Sequence, residues 1–299
     1  MRYALAALPL ATLALPLQAA ELLDPEPRIA VMSAFAPEWQ VLRGALEDPQ
    51  DHMLHGMTFV TGSLSGQEVV VMLSGVSMVN AAMTTQMVLD HFDIEALVFS
   101  GIAGGVDPEL SIGDVIVAER WGQYLDAVFA RETSDGVFEM PGWMTSDFDN
   151  FGMIYTRDVS LEQIEDGGKQ FWFETDPTLL EAAARAAEGL TLEDCDAEET
   201  CLPDAPQITI GGSGVSGPVF VDNADFRQHA ADQWGASVLD MESAAVAQVA
   251  QVNAVPFIAF RSLSDLAGGS AEPNEMATFM DLAAGNSAAL VQAFLAELD

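Results

Sequence analysis

The feature that most limits how this chain can fold is a strand-helix-strand succession near its C-terminal end. Residues 237–241 (SVLDM) read as a short buried strand, and residues 242–253 as an alanine-rich helix. Residues 256–262 (PFIAFRS) read as a second strand, rich in β-branched and aromatic side chains. A helix joining two strands predicts a β-α-β unit whose strands are parallel and whose following turns share one edge of the sheet. Open α/β sheets bind ligands at that edge, outside the carboxyl ends of the strands. Leu239-Asp240-Met241-Glu242 and Arg261-Ser262-Leu263-Ser264-Asp265 each place a carboxylate there, so Glu242 and Asp265 are candidates to face one pocket.

The same alternation runs along the rest of the chain. After a Pro-rich linker (21–28), residues 29–34 read as the first strand, and Pro37 opens an amphipathic helix that runs through Leu46. Residues 57–62 and 68–74 suggest a hairpin around Ser65-Gly66, and 79–92 carry apolar residues at helical spacing. Residues 95–100 form an apolar strand running into Gly101-Ile102-Ala103-Gly104-Gly105, with a further strand entered at 113–117. Asp176 and Pro177 mark a helix start, a short strand follows at 208–210, a helix begins near 222–225, and 276–298 is the last clear element. Residues 122–176 are rich in aromatics, glycine and acids without a firm period, which suggests an insertion or a lid. No internal repeat is visible. The pattern predicts an α/β fold: a single domain (29–299) with a central mixed, largely parallel sheet flanked by helices.

Charge narrows the partners. Acidic residues number 46 against 10 basic, a formal net charge of -36, with Lys169 the one lysine. Such a surface repels phosphate backbones and anionic lipid, so neither nucleic acid nor a membrane surface is an expected partner. Residues 1–20 have a basic start, an apolar run and a small-residue exit, the pattern of an export signal, which predicts a periplasmic or secreted protein. Cys195 and Cys201, close together in an acidic loop, then read as a local disulfide. No histidine lies near enough to suggest zinc, and the loop lacks the glycine turn and ligand order of an EF-hand, so no metal is expected.

The catalytic vocabulary is that of carboxylates. Glu38, Glu242 and Asp265 all fall at strand-to-helix junctions, whereas the four histidines have no Gly-x-Ser-x-Gly partner and Lys169 follows no Walker glycines. Acids and bases beside glycine-rich turns suggest hydrolysis or group transfer on a small polar molecule, without a cofactor.

Residues 29–43 (IAVMSAFAPEWQVLR), 74–82 (SGVSMVNAA), 100–114 (SGIAGGVDPELSIGD), 213–223 (SGVSGPVFVDN) and 238–266 carry a resemblance. In this order they resemble the nucleoside phosphorylase superfamily, and within it the 5'-methylthioadenosine/S-adenosylhomocysteine nucleosidases. The resemblance covers nearly the whole chain after the export signal, with residues 122–207 departing from the family pattern. It implies that Asp265 protonates N7 of a departing purine, that Ser264 orients that acid, and that Glu38 activates water with Arg261 nearby. It implies also that Glu242 grips the ribose hydroxyls, Met241 packs on the sugar and base, Phe220 stacks on the purine, and the Val221 backbone meets the base edge. Gly104 would let the backbone approach the ligand. Without the resemblance, Glu38 reads as a first-turn helix acid, and Met241 and Phe220 as core.

Two departures bear on the reaction. Ile102 stands where many relatives carry Ser or Thr, and Gly75-Val76-Ser77-Met78-Val79 stands where nucleosidases commonly show Gly-Ile-Gly-Lys-Val. The arginines with which phosphorylases hold phosphate have no counterpart near 34–38 or 75–79, which favours water over phosphate as nucleophile. The implied function is hydrolysis of a purine nucleoside such as 5'-methylthioadenosine or S-adenosylhomocysteine to base and sugar, by a homodimer. The alternatives are a phosphate-dependent purine nucleoside phosphorylase and a non-catalytic nucleoside-binding or storage protein.

Overall fold

A computed structural model describes residues 22–165, 167–197, 199–269 and 273–298. The export signal expected at residues 1–20 lies outside them. The described residues open with β1 (Asp24–Ser33), α1 (Ala36–Gly44), β2 (Glu47–Leu54), β3 (Met57–Leu64), β4 (Gln67–Leu73), α2 (Met78–His91) and β5 (Phe92–Gly105). Asp24–Arg28, expected as linker, instead begin the first strand. Arg28 explains this, because its guanidinium is paired with Asp24 and Glu68, both at 2.7 Å, and fastens the segment to β4. The hairpin around Ser65-Gly66 forms as expected, β3 antiparallel to β4, while β2 is an additional, mostly exposed strand at the sheet's edge.

The middle of the chain supplies β6 (Val115–Val117), β7 (Arg120–Gln123), β8 (Ala127–Phe129), β9 (Arg131–Ser134), β10 (Val137–Glu139), β11 (Ile154–Thr156), β12 (Val159–Ser160), β13 (Lys169–Gln170) and β14 (Trp172–Glu174). The segment without a sequence period is therefore a set of short antiparallel pairs, β8 with β11, β9 with β10 and β12 with β13. Then come α3 (Pro177–Ala187), β15 (Ile208–Ile210), β16 (Ser213–Ser216), α4 (Ala224–Trp234), β17 (Ala236–Asp240), α5 (Ser243–Asn253), β18 (Phe257–Asp265) and α6 (Met276–Ala296). Asp176 caps α3 by accepting the Thr178 and Leu179 amides, and Asn223 caps α4 through the Phe226 amide. The Cys195–Cys201 disulfide closes a loop between α3 and β15. Asn286 of α6 pins that loop by two hydrogen bonds to the Glu193 backbone.

These elements make one α/β domain around a mixed sheet, ordered β14-β7-β16-β17-β5-β1-β4-β3-β2, with β18 also on β5. Apolar side chains of α2 and α5 pack on one face of the sheet, those of α1, α3 and α6 on the other. The β-α-β expectation for β17, α5 and β18 needs correction. β18 runs parallel to β5, but β17 is antiparallel to it and meets it only at Gly104 and Gly105. The reason lies in β5, which is long enough to take β1 as far as Phe99 and to receive β17 on the same flank further on. Between Phe99 and Gly104 that flank of β5 has no strand partner among the described residues. The candidate site occupies that gap.

Candidate active site

Glu38 fills the opening first. It lies in the first turn of α1, is buried, and accepts three backbone N–H groups: Ala34 at 2.7 Å, Phe35 at 3.1 Å and Ile102 at 2.8 Å. The first two amides lie at the start of α1, so this first-turn acid also closes a capping box there. The third is on the unpartnered stretch of β5, and draws the carboxylate into the gap. Burial pushes the Glu38 carboxyl above its ordinary range, while Arg261 and the three amides pull the other way. A carboxylate has about four lone-pair sites, so one remains for a ligand.

Arg261, on β18, is fully buried behind Glu38. Its guanidinium meets Asp240 Oδ2 at 2.8 Å and Glu242 Oε2 at 3.4 Å, donates from Nε to Ser243 Oγ at 3.0 Å, and lies 4.1 Å over the Phe99 ring. Gly101 is the residue that permits this: a Cβ there would stand 2.2 Å from Arg261 Nη1 and 2.6 Å from Glu38 Oε1. Asp240 has a second task, accepting the Ser216 hydroxyl and the amides of Glu242 and Ser243 and so capping α5. It thereby fixes both the arginine and the turn that presents Glu242.

Glu242 receives the Ser77 amide on Oε1 at 2.7 Å and Arg261 on Oε2. Burial pushes its carboxyl up to about 7; Arg261 and the Ser77 amide oppose the shift, and Asp240 and Glu38 add to it. Asp265 ends β18 opposite Gly104. It is 2% exposed, and burial raises its carboxyl above the ordinary range against the Ala267 amide at 2.8 Å, the Ser264 hydroxyl at 3.0 Å and the Asn274 side chain at 3.3 Å. Those donors hold the carboxyl in place: Ser264 belongs to β18 itself, Ala267 and Asn274 to the loop after it, and none to a helix that Asp265 caps.

The groups converge on a cavity of about 250 Å³. Glu38, Gly104, Phe220, Val221, Met241, Glu242, Ser264 and Asp265 all line it, together with Ile102 and Asp240. Arg261 is not in the wall but directly behind it. Phe220, 53% exposed, is a ready stacking surface rather than core. Carboxylates therefore stand at separate points of one apolar recess, with the guanidinium shared among Glu38, Asp240 and Glu242. Sequence reasoning missed Asp240 and the Ser77 amide. Asp240 stood inside the Leu239-Asp240-Met241-Glu242 stretch, but its partner Arg261 is brought to it only by folding. The Cys195–Cys201 loop is not part of the cavity lining.

Comparison with known proteins identifies the family. A family model described as "Phosphorylase superfamily" matches residues 28–296. The 5'-methylthioadenosine/S-adenosylhomocysteine nucleosidase of Chromohalobacter salexigens is 30% identical over 272 residues, covering 91% of this chain and 97% of that protein. The crystal structure of the corresponding nucleosidase from Neisseria meningitidis, in complex with methylthio-immucillin-A, has a TM-score of 0.68 at 25% identity, covering 91% of this chain and 99% of the other. The Colwellia psychrerythraea nucleosidase, in complex with adenine, gives the same score and identity over 91% and 95%. The chain belongs to the phosphorylase superfamily, on its nucleosidase, N-ribosyl-hydrolase side.

Proposed function

We propose that the chain is an exported nucleosidase that hydrolyses the N-glycosidic bond of 5'-methylthioadenosine or S-adenosylhomocysteine, releasing adenine and the thio-sugar. The observation that carries this reading is the convergence of Glu38, Glu242 and Asp265 on one cavity, each with raised proton affinity and a different set of partners. With its raised proton affinity, Asp265 holds a proton that it passes to N7, so the base leaves neutral while positive charge develops on the sugar. Glu242 accepts the sugar hydroxyls. Water attacks C1' and gives its proton to the remaining lone pair of Glu38, with Arg261 close by. Ile102 offers no hydroxyl to that water, but its amide holds Glu38 in line.

Phosphate is disfavoured as nucleophile by the same walls: Glu38, Asp240, Glu242 and Asp265 line the cavity, and the nearby guanidinium is already shared among carboxylates. Purified protein incubated with methylthioadenosine in phosphate-free buffer should release adenine. Release only on adding phosphate would establish a phosphorylase instead, and binding without release a non-catalytic member. Residues 1–20 support export, which mass spectrometry of the mature N-terminus from a secreting host would test. A homodimer is supported by the exposed Val76, Val79 and Met83 at the start of α2, beside the cavity mouth. Sedimentation of the purified protein tests it.

A further inference from the structure

Ser77 has a backbone conformation that the reaction as described does not use. At φ 82 and ψ 157 it occupies a region that is essentially reserved for glycine. The turn is held there by its surroundings. The Ser74 amide bonds to the Ser33 carbonyl at 2.8 Å, and Thr84 Oγ1 to the Ser74 carbonyl at 3.1 Å. Asn80 Nδ2 bonds to the Val76 carbonyl at 2.7 Å, and the Ala81 amide to the Ser77 carbonyl at 3.0 Å. The product of this geometry is the 2.7 Å bond from the Ser77 amide to Glu242 Oε1. Glycine would make the same bond without strain, so the strain comes from carrying a side chain at this position.

That side chain is not tied down by the fold. Serine is a favoured helix cap, yet the Ser77 hydroxyl makes no capping bond to α2, and it has no other partner among the described residues. It is half-buried rather than sealed away, and its neighbour Val76 lines the cavity. Covalent geometry keeps Oγ within about 4 Å of its own nitrogen in any rotamer, and so within about 7 Å of Glu242 Oε1. Each Glu242 oxygen already accepts a donor from the protein, and a carboxylate can only accept. A sugar hydroxyl that donates to Glu242 is left needing a donor for its own oxygen.

We propose that Ser77 is a specificity residue: its hydroxyl donates to a ribose hydroxyl oxygen whose proton is held by Glu242, so that the sugar diol is read by a carboxylate and a serine together. This rests on the nucleosidase reading above. The test compares wild type, Ser77→Ala and Ser77→Gly on methylthioadenosine and on its 2'-deoxy and 3'-deoxy analogues, with thermal melting of each protein. Both variants should lower kcat/KM for methylthioadenosine by about 5–20-fold, the loss of one hydrogen bond. They should show no loss on the one analogue that lacks the hydroxyl contacted. Ser77→Gly should melt above wild type, because its strain is relieved, and Ser77→Ala should not. Wild-type kcat/KM in Ser77→Ala, or an equal loss on all three substrates, overturns the assignment. A wild type that releases no base from any of them refutes the nucleosidase reading, and the Ser77 role with it, before a variant is examined.

Discussion

Replacing Asp240 by asparagine keeps the shape of the side chain and removes its charge. The asparagine can still accept the Ser216 hydroxyl and the α5 amides on one oxygen, but its NH2 would face Arg261 where Oδ2 now lies at 2.8 Å. Removing one partner of a buried pair costs about 3–5 kcal/mol. Glu242 and Glu38 remain near the guanidinium, so the low end, about 3 kcal/mol, is expected. The second effect is on proton affinity. Arg261 Nη2 touches both Asp240 and Glu242, which puts their oxygens no more than about 6 Å apart; at that separation the repulsion is worth about 3 kcal/mol at an effective dielectric constant of about 20. Without that repulsion, Glu242 should ionise about 1–2 pH units lower. In wild type, kcat/KM should rise through about pH 7 as Glu242 ionises. Asp240→Asn should lower the melting point by about 6–10 °C and move the acid limb down. An acid limb that stays in place, or moves up, would refute the placement of Asp240 as the charge that tunes Glu242.

Other expectations follow from the same contacts. Glu242 has a folded pKa raised from 4.5 to about 7, so its stabilising contribution is complete below pH 4.5 and is lost as pH rises to about 7. The loss is about 3 kcal/mol, and Glu242→Gln should flatten the slope of unfolding free energy over that window. Asp265→Asn should cut base release by at least about 100-fold while calorimetry still detects nucleoside binding; unchanged turnover would exclude Asp265 as the acid. Gly101→Ala forces a methyl group into Arg261 and Glu38, so it should lower both melting point and kcat, whereas a wild-type rate would show that the pair is not needed in this geometry. Cys195→Ser opens a loop with a sequence separation of 6 and should reduce unfolding free energy by about 2 kcal/mol without altering kcat, measured by denaturant titration and assay.

What the sequence revealed was mainly local. The hairpin around Ser65-Gly66, the Asp176 cap and the buried strands ending in Asp240 and Asp265 are written in turn chemistry and apolar runs. β2 was hidden because EDPQDHML is an exposed edge with no alternation to detect. Pro25 and Pro27 disguised the start of β1, where Arg28 supplies the anchoring. The relative direction of β17 and β18 was misread because both are set by β5, far away in sequence. In the site, Glu38, Glu242 and Asp265 were found by their motifs. The pairing of Asp240 with Arg261, and of Glu38 with the Ile102 amide 64 residues away, exists only in the folded chain.

β5 has a consequence for how the protein fails. Glu38 hangs on its Ile102 amide, Arg261 lies opposite Gly101 and Asp265 opposite Gly104, while Gly104 also pairs with Leu239 just before Asp240. Glu38, Arg261 and Asp265 are thus referred to one strand in the middle of the sheet, which cannot open without the whole domain opening. Fraying at β2 or in the short antiparallel pairs should leave catalysis intact. Activity and global structure should then be lost in one transition, with the amides of β5 among the slowest to exchange with solvent.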